Sequence, residues 1–484
     1  VSFLPSERAQ SVMAEGGINA ALNTKDENDS PEEHFTDTIK AACGLADPNA
    51  VWGMTQAAPE LVHWLLKLGV KFNMSGYDDV DLRNFGGQKK KRTAFAQSDT
   101  GKQIMTAMID AVRRKEASGM VERFSHHSFL TLRLCGNICC GCVIRDEYSQ
   151  ETVELPGDAV IVATGGMHGL FGNTTGSLSN TGEVTAELFR LGVPLANGEM
   201  IQYHPTTVKC GGKRMLISEA ARGEGGRLFA MKDGKQWYFM EEKYPELGNL
   251  MPRDITAREI WKVSHESEVF LDMTEISEEI ISNKLSGLAD DCMTYLHKDI
   301  RKEPVSVLPG IHYFMGGILV DEQHRTPIQN LYAAGECCAQ YHGANRLGGN
   351  SLLGALYGGR VAAKSACEQA DVVDLSCATQ IDFPPASQIS EIKQLNKVMQ
   401  ETMGVVRNEN TLLNGIQTVQ ALTGNLPLLG MAVLKSALAR KESRGAHWRE
   451  DYPKSNDDDY LKTTVARFDG KQIQISFVPV PERR

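Results

Sequence analysis

The chain of 484 residues predicts an α/β fold in which one parallel sheet is split by a long insertion and then followed by a helical region. Three observations carry this expectation. The run GDAVIVATGG (157–166) is a short, β-branched, apolar stretch ending in Thr-Gly-Gly, the pattern of a buried strand entering a tight turn. NLYAAGECCAQ (330–340) is a second such unit, ending in Gly335-Glu336, and it lies more than 150 residues downstream. From about 386 to 443, SEIKQLNKVMQETMGVV and MAVLKSALARKES carry helical periodicity. Backbone amides freed by glycines at strand ends can approach a phosphate or a cofactor ring, so the split sheet reads as nucleotide-binding.

The remaining elements follow in chain order. SVMAEGGINAAL (11–22) places Gly16-Gly17 between small residues. That suits backbone packed against a flat ring, although a helix-capping glycine pair has the same signature. LRLCGNICCGCVIRDE alternates like strands and holds Cys135, Cys139, Cys140 and Cys142. With no second, distant pair, these read as small apolar strand residues rather than as ligands of zinc or an iron–sulfur cluster, and no metal site is expected. The polar segment between the sheet halves includes the helical stretch PRDITAREIWKVSHE and is expected to cap the sheet. HGANRLGGNSLLGALYGGRVAA (342–363) runs an Arg and an Asn in a glycine-rich loop into a helix of small residues. A helix N-terminus accepts anions and polar rings, and Arg346 beside it can fork onto a carboxylate. The tail YLKTTVARFDGKQIQISFVPVPERR alternates like a hairpin. These signals divide the chain into 1–203 and 319–380 (two parts of the sheet domain), 204–318 (cap), 381–450 (helical) and 451–484 (C-terminal extension).

Composition narrows the function classes. With 42% hydrophobic and 23% charged residues the chain can bury a large core, and a net charge of −10 leaves no basic excess for nucleic acid. No apolar run approaches the roughly 20 residues that span a bilayer, so any membrane attachment is expected to go through a partner protein. Eleven cysteines in irregular spacing read as reduced thiols of a cytoplasmic protein.

Four stretches place polar residues in apolar surroundings: His204 in YHPTTV; Ser218, Glu219 and Arg222 in ISEAARGEGG; Arg253 in MPRDITAR; and His312 in IHYFMGGI. Singly, each histidine reads as a satisfied core or surface residue. Together with Arg346 they form a set of cations and donors suited to gripping two carboxylates.

The ordered series AEGGINAAL, FGGQKKKRT, ATGG, NTGE, HPT, SEAARGEGG, PRD, HYFMGGI, GEC, HGANRLGGNSLL and ESRGAHWREDYP resembles the flavoprotein subunit of the succinate dehydrogenase and fumarate reductase family over essentially the whole chain. The resemblance implies a two-dinucleotide-binding fold for FAD, with an inserted α+β capping domain that is mobile, a C-terminal helical domain and a short β extension. It implies that His204, Ser218, His312 and Arg346 hold the substrate carboxylates, with Phe85, Gly86 and Gly87 lining the pocket. Arg253 would be the proton donor, resupplied through Glu219 and Arg222. Ser11, Ala14, Glu15, Gly16, Gly17, Ala163, Thr164, Gly165, Gly166, Glu183, Gly335, Glu336, Arg346, Asn350, Ser351 and Leu352 would contact FAD. The activity implied is hydride transfer from reduced FAD to fumarate, giving succinate, with the reverse oxidation feasible. An iron–sulfur subunit, with or without a membrane anchor, is the implied partner; it is expected to dock on an exposed C-terminal arm and would place this chain at the inner face of the membrane.

Four departures qualify the resemblance. Gln10, in RAQSVMAEGG, stands where membrane-bound members carry the histidine joined covalently to FAD, so a non-covalent flavin is expected. By the same family logic its lower potential favours fumarate reduction. A first strand with a GxGxxG turn is expected upstream of SFLPSERAQ, outside this sequence. Glu183 in NTGE replaces a usual Asp, and Ser218 replaces a usual Thr while keeping the hydroxyl. The alternative is L-aspartate oxidase, whose pocket must take an ammonium group. FGGQKKKRTAFAQSDTG offers basic residues near the pocket and no acidic partner for one.

Overall fold

A computed structural model describes residues 1–76, 79–370, 372, 381, 383 and 388–484. Residue 380, at the boundary expected between the sheet domain and the helical region, falls outside them. The two glycine-ended units meet as the sequence suggests: Val160–Val162 and Leu331–Ala333 pair in parallel, with Val160 opposite Leu331 and Val162 opposite Ala333. The cysteine-rich stretch is a hairpin, His127–Cys135 with Ile138–Asp146, joined by Thr152–Pro156 as a third strand. Cys139 and Cys140 are fully buried in it.

The inserted segment has its own sheet and core. Its strands lie in the order Lys235–Trp237, Arg227–Lys232, Val269–Asp272, Val305–Ser306, all antiparallel. Leu228, Ala230, Val269 and Leu271 alternate inward and pack with Ile260 of the helix Arg253–Val263. Phe85 joins this core from outside the segment. The chain enters and leaves the insertion along two antiparallel strands, Ile201–Cys210 and Leu308–Phe314. Two register shifts interrupt that pair, between Leu308 and Gly310 and between Ile311 and Tyr313. His312 sits in the second, where a bulge re-aims a side chain that strict alternation would point elsewhere.

The helices Ile389–Thr402, Glu409–Val419 and Asn425–Ala439 bury Leu395, Met399, Leu412, Val419, Leu429 and Val433 against Phe171, Phe189 and Phe314. Beyond them the tail does form an antiparallel pair, Lys462–Phe468 with Ile473–Pro479. It is not a free arm, however. Lys462–Phe468 also pairs with Leu195–Ala196, forming a five-stranded sheet with Gly317–Leu319 and Cys338–Ala339.

Arg440, wholly buried, ties the tail down. It bonds Glu199 and Glu442 at 2.7 Å each and donates to the carbonyls of Tyr460 (2.8 Å) and Lys462 (2.7 Å) and to Thr464 Oγ1 (2.7 Å). At the end of the tail Arg483 stacks 3.8 Å over Trp52. Ile473–Pro479 is one edge of that sheet; the other, Cys338–Ala339, is buried. Among the described residues no helix is long and apolar enough to cross a membrane.

Candidate active site

The seam between sheet and insertion brings two buried arginines together. Arg253 opens the helix Arg253–Val263, directly after Pro252, which cannot extend a helix backwards. Arg346 lies in the glycine-rich loop before the helix Asn350–Gln369. Both donate to a single oxygen, Gln202 Oε1, at 3.1 Å from Arg253 Nη1 and 3.0 Å from Arg346 Nη2. Gln202 is oriented by its own amide, which donates to Asn345 Oδ1 at 3.0 Å and to the Arg346 carbonyl at 2.8 Å.

The two guanidiniums differ in how they are neutralised. Arg253 forks onto Glu219 Oε2, with Nε at 2.7 Å and Nη2 at 2.6 Å. The other oxygen of Glu219 takes the Gly86 amide at 3.1 Å and lies 3.4 Å from Arg222 Nη2. Burial acts to raise the Glu219 pKa, but Arg253 and Arg222 outweigh it and the net shift is downward, so the carboxylate stays ionised. A Cβ on Gly86 would stand 2.5 Å from Glu219 Oε1, so any side chain here would push the carboxylate aside. Arg346 has the face of Tyr313 at 4.4 Å but, among the described residues, no carboxylate partner, and its Nε is buried without a hydrogen bond. Burial, and then repulsion from Arg253, push its pKa down to about 9. A buried cation left in this state is a built demand for an anion.

His204 and His312 stand beside the arginines, their rings 5.2 Å apart and edge to face. His312 Nδ1 is 2.8 Å from Thr175 Oγ1, and His204 Nδ1 is 3.3 Å from the Thr206 amide and 3.1 Å from the Thr206 carbonyl. Where Nδ1 accepts, as that of His312 can from Thr175 Oγ1 and that of His204 from the Thr206 amide, Nε2 carries the proton and can donate to a carboxylate; the Thr206 carbonyl favours the opposite tautomer of His204. Burial first, then Arg253, hold both pKa values well below 6.5, so the rings are neutral at pH 7. Ser218 caps the helix Glu219–Gly223, accepting from the Ala220 amide at 3.4 Å.

These neutral histidines have a consequence for stability. His34, His342 and His447 are also buried, with pKa values lowered by burial, that of His34 to about 3. Unfolded histidines take up protons below about 6.5 while these cannot, so the unfolded state binds more protons and stability falls as pH drops. We expect the thermal midpoint to decrease steadily from pH 7.5 to 5.5, with each such histidine contributing up to ~1.4 kcal/mol per pH unit. A midpoint flat across that range would contradict the buried neutral state.

A second constellation fits a flavin nucleotide. Gly165-Gly166 and Gly335-Glu336 stand together at the carboxyl ends of the paired strands, where such sheets bind ligands; a Cβ on Gly166 would meet Glu336 Oε1 at 2.6 Å. Gly335 has positive φ and open space beside it, its nearest neighbour in that direction being Ala355 Cβ at 3.8 Å. Gly16-Gly17 precede the strand Ile18–Asn19, so they are not a helix cap. Asn19 pins the start of the helix Asn350–Gln369 by donating to the Gly348 carbonyl (2.7 Å) and Asn350 Oδ1 (2.8 Å). Two buried atoms make no hydrogen bond: His168 Nε2, 3.7 Å from Glu336 Oε1, and Glu15 Oε2, just before Gly16. Glu15 is pushed up to about 8, first by burial and then by Asp291. Ala14 is held by the Gly101 amide at 2.7 Å, and Ser11 shares the short helix Gln10–Met13 with Gln10. Ala163 and Thr164 are exposed at the strand end. Glu183 stands apart: it is exposed, and its nearest charges are Arg145 and Glu147.

Sequence reasoning passed over Gln202, Thr175, Tyr313, His168 and Asn19. Gln202 had one available signal, its place two residues before His204; Asn19 and Tyr313 lie inside AEGGINAAL and HYFMGGI, and Thr175 and His168 had none.

Comparison with known proteins agrees with this geometry. Residues 1–352 match the family model described as FAD binding domain, and 422–483 match that described as fumarate reductase flavoprotein C-term. The chain is 37% identical to a succinate dehydrogenase flavoprotein subunit of Bacillus subtilis, covering 100% of this chain and 93% of that one. It is 32% identical to an L-aspartate oxidase of Nostoc sp., covering 94% and 86%. Among solved structures, an E. coli quinol fumarate reductase superposes with TM-score 0.89 at 27% identity, covering 99% of this chain and 91% of that one.

Proposed function

As this chain belongs to the succinate dehydrogenase and fumarate reductase flavoprotein family of FAD-dependent oxidoreductases, we propose that it is a fumarate reductase flavoprotein subunit carrying a non-covalent FAD. The observation that supports it most is the pair of buried arginines on Gln202, one neutralised and one awaiting an anion.

When bound and reduced, FAD would supply the hydride for one alkene carbon of fumarate. Every other task falls to the chain. Arg346, His204 and His312 grip the carboxylates, with Phe85, Gly86 and Gly87 closing the pocket. Ser218 fixes the start of the helix that carries Glu219 and Arg222. Arg253 gives the proton. An arginine is a very weak acid, with pKa above about 12, but the carbon left by hydride addition is a strong base, and transfer works best between groups of comparable strength. Arg253 would then be reprotonated through Glu219, which it contacts at 2.6 Å, and Arg222, which stands 3.4 Å from the other oxygen of Glu219. Gly16, Gly17, Gly165, Gly166, Gly335, Glu336 and the Asn350–Leu352 turn would hold FAD.

Gln10, in the position of the family's flavin-linked histidine, favours the reductive direction. Electrons would arrive from an iron–sulfur subunit, for which the edge strand Ile473–Pro479 is the docking surface that remains open. That partner would hold the chain at the inner face of the membrane.

Acid precipitation of the holoprotein tests the flavin link. Free FAD in the supernatant, with a flavin midpoint potential below that of fumarate, is the expected result. Flavin retained in the pellet would sink the Gln10 argument.

A further inference from the structure

The helix Arg253–Val263 is packed by Ile260 into the core of the inserted segment, yet it also meets the C-terminal loop 442–448. There the Arg258 guanidinium lies 4.1 Å over the Trp448 ring, and Asp254, one turn earlier, stands 3.9 Å from the same guanidinium. Both residues are half-buried. The seam beside this stack holds a cavity of about 10 Å³, lined by Tyr203, Asp254, Ala257, Arg258, Val405 and Ala446.

The loop itself is firmly mounted. Arg444 forks onto Glu442 at 2.8 and 2.9 Å and donates to the Cys43 carbonyl at 3.1 Å. The Arg407 amide donates to the Trp448 carbonyl at 2.9 Å, and Arg407 Nη1 lies 2.9 Å from His447 Nδ1. The Ala446 amide donates to the Ala344 carbonyl at 2.9 Å, two residues before Arg346. One loop therefore touches the segment carrying Arg346 on one side and the helix carrying Arg253 on the other. Since both arginines share one oxygen of Gln202, their relative position depends on both attachments.

We propose that the Arg258–Trp448 stack is a latch that seats the inserted segment's helix on the C-terminal loop and so fixes Arg253 relative to Arg346. Arg258 and Trp448 are positioning residues. The idea rests on the reading of Arg253 as proton donor, and its test separates the two.

Trp448→Ala, Trp448→Phe and Arg258→Ala holoproteins would be compared by FAD content, by kcat and KM for fumarate with reduced viologen, and by hydrogen exchange of amides 253–263. Loss of the stack should lower kcat roughly 10-fold, as misplaced catalytic groups do, with KM changed less, FAD content kept and helix exchange accelerated. Trp448→Phe keeps an aromatic face and should recover most of both losses. Unchanged exchange and kcat in Trp448→Ala and Arg258→Ala would overturn the latch, as would equal losses in Trp448→Ala and Trp448→Phe. Near-normal turnover in Arg253→Lys would remove the proton-donor reading while leaving accelerated exchange in Trp448→Ala as support for the latch.

Discussion

Arg253→Lys is expected to lower fumarate turnover by roughly 10²–10⁴-fold, the span of a lost general acid, while FAD content and fumarate binding stay close to wild type. Lysine keeps the charge but not the planar fork that puts Nε and Nη2 on Glu219 and Nη1 on Gln202. The substrate's carboxylates are assigned to other groups, so binding should survive. Pre-steady-state reoxidation of the reduced flavin by fumarate separates the two quantities. Turnover within a few-fold of wild type would exclude Arg253 as the proton donor.

Glu219→Gln should be costly for a different reason. The side chain keeps its shape, but two buried cations, Arg222 and Arg253, lose the carboxylate between them. Breaking a buried pair by removing one partner typically costs about 3–5 kcal/mol, because the remaining charge is uncompensated. We expect a lower thermal midpoint together with a loss of turnover comparable to that of Arg253→Lys, as reprotonation of Arg253 is interrupted. A stable variant with normal turnover across pH 6–9 would remove Glu219 from the proton path.

Much of this was legible in the residues themselves. The two glycine-ended strands announce themselves through β-branched runs and fold as partners despite the insertion between them. His204, Arg253, His312 and Arg346 stand out because charged and titratable groups in apolar segments need a partner.

Gln202 was missed because its importance is purely spatial. It matters only since Arg253 and Arg346, 51 and 144 residues away, arrive at the same oxygen. The bulge that turns His312 inward leaves no mark in a period-2 pattern. The tail shows the same limit from the other side. Its alternation correctly signals strands but is silent on which sheet they join, so a docked strand with Thr464, Val465 and Ala466 buried reads as an exposed arm. Removing residues 455–484 would strip Arg440 of three acceptors, so such a deletion tests folding rather than partner docking.

The most direct test of the assignment is anaerobic: the fully reduced holoprotein is mixed with fumarate and, separately, the oxidised holoprotein with L-aspartate, following flavin absorbance. The account predicts rapid reoxidation by fumarate and no bleaching by L-aspartate. A flavin that ignores fumarate but is reduced by L-aspartate would contradict it and make the chain an L-aspartate oxidase.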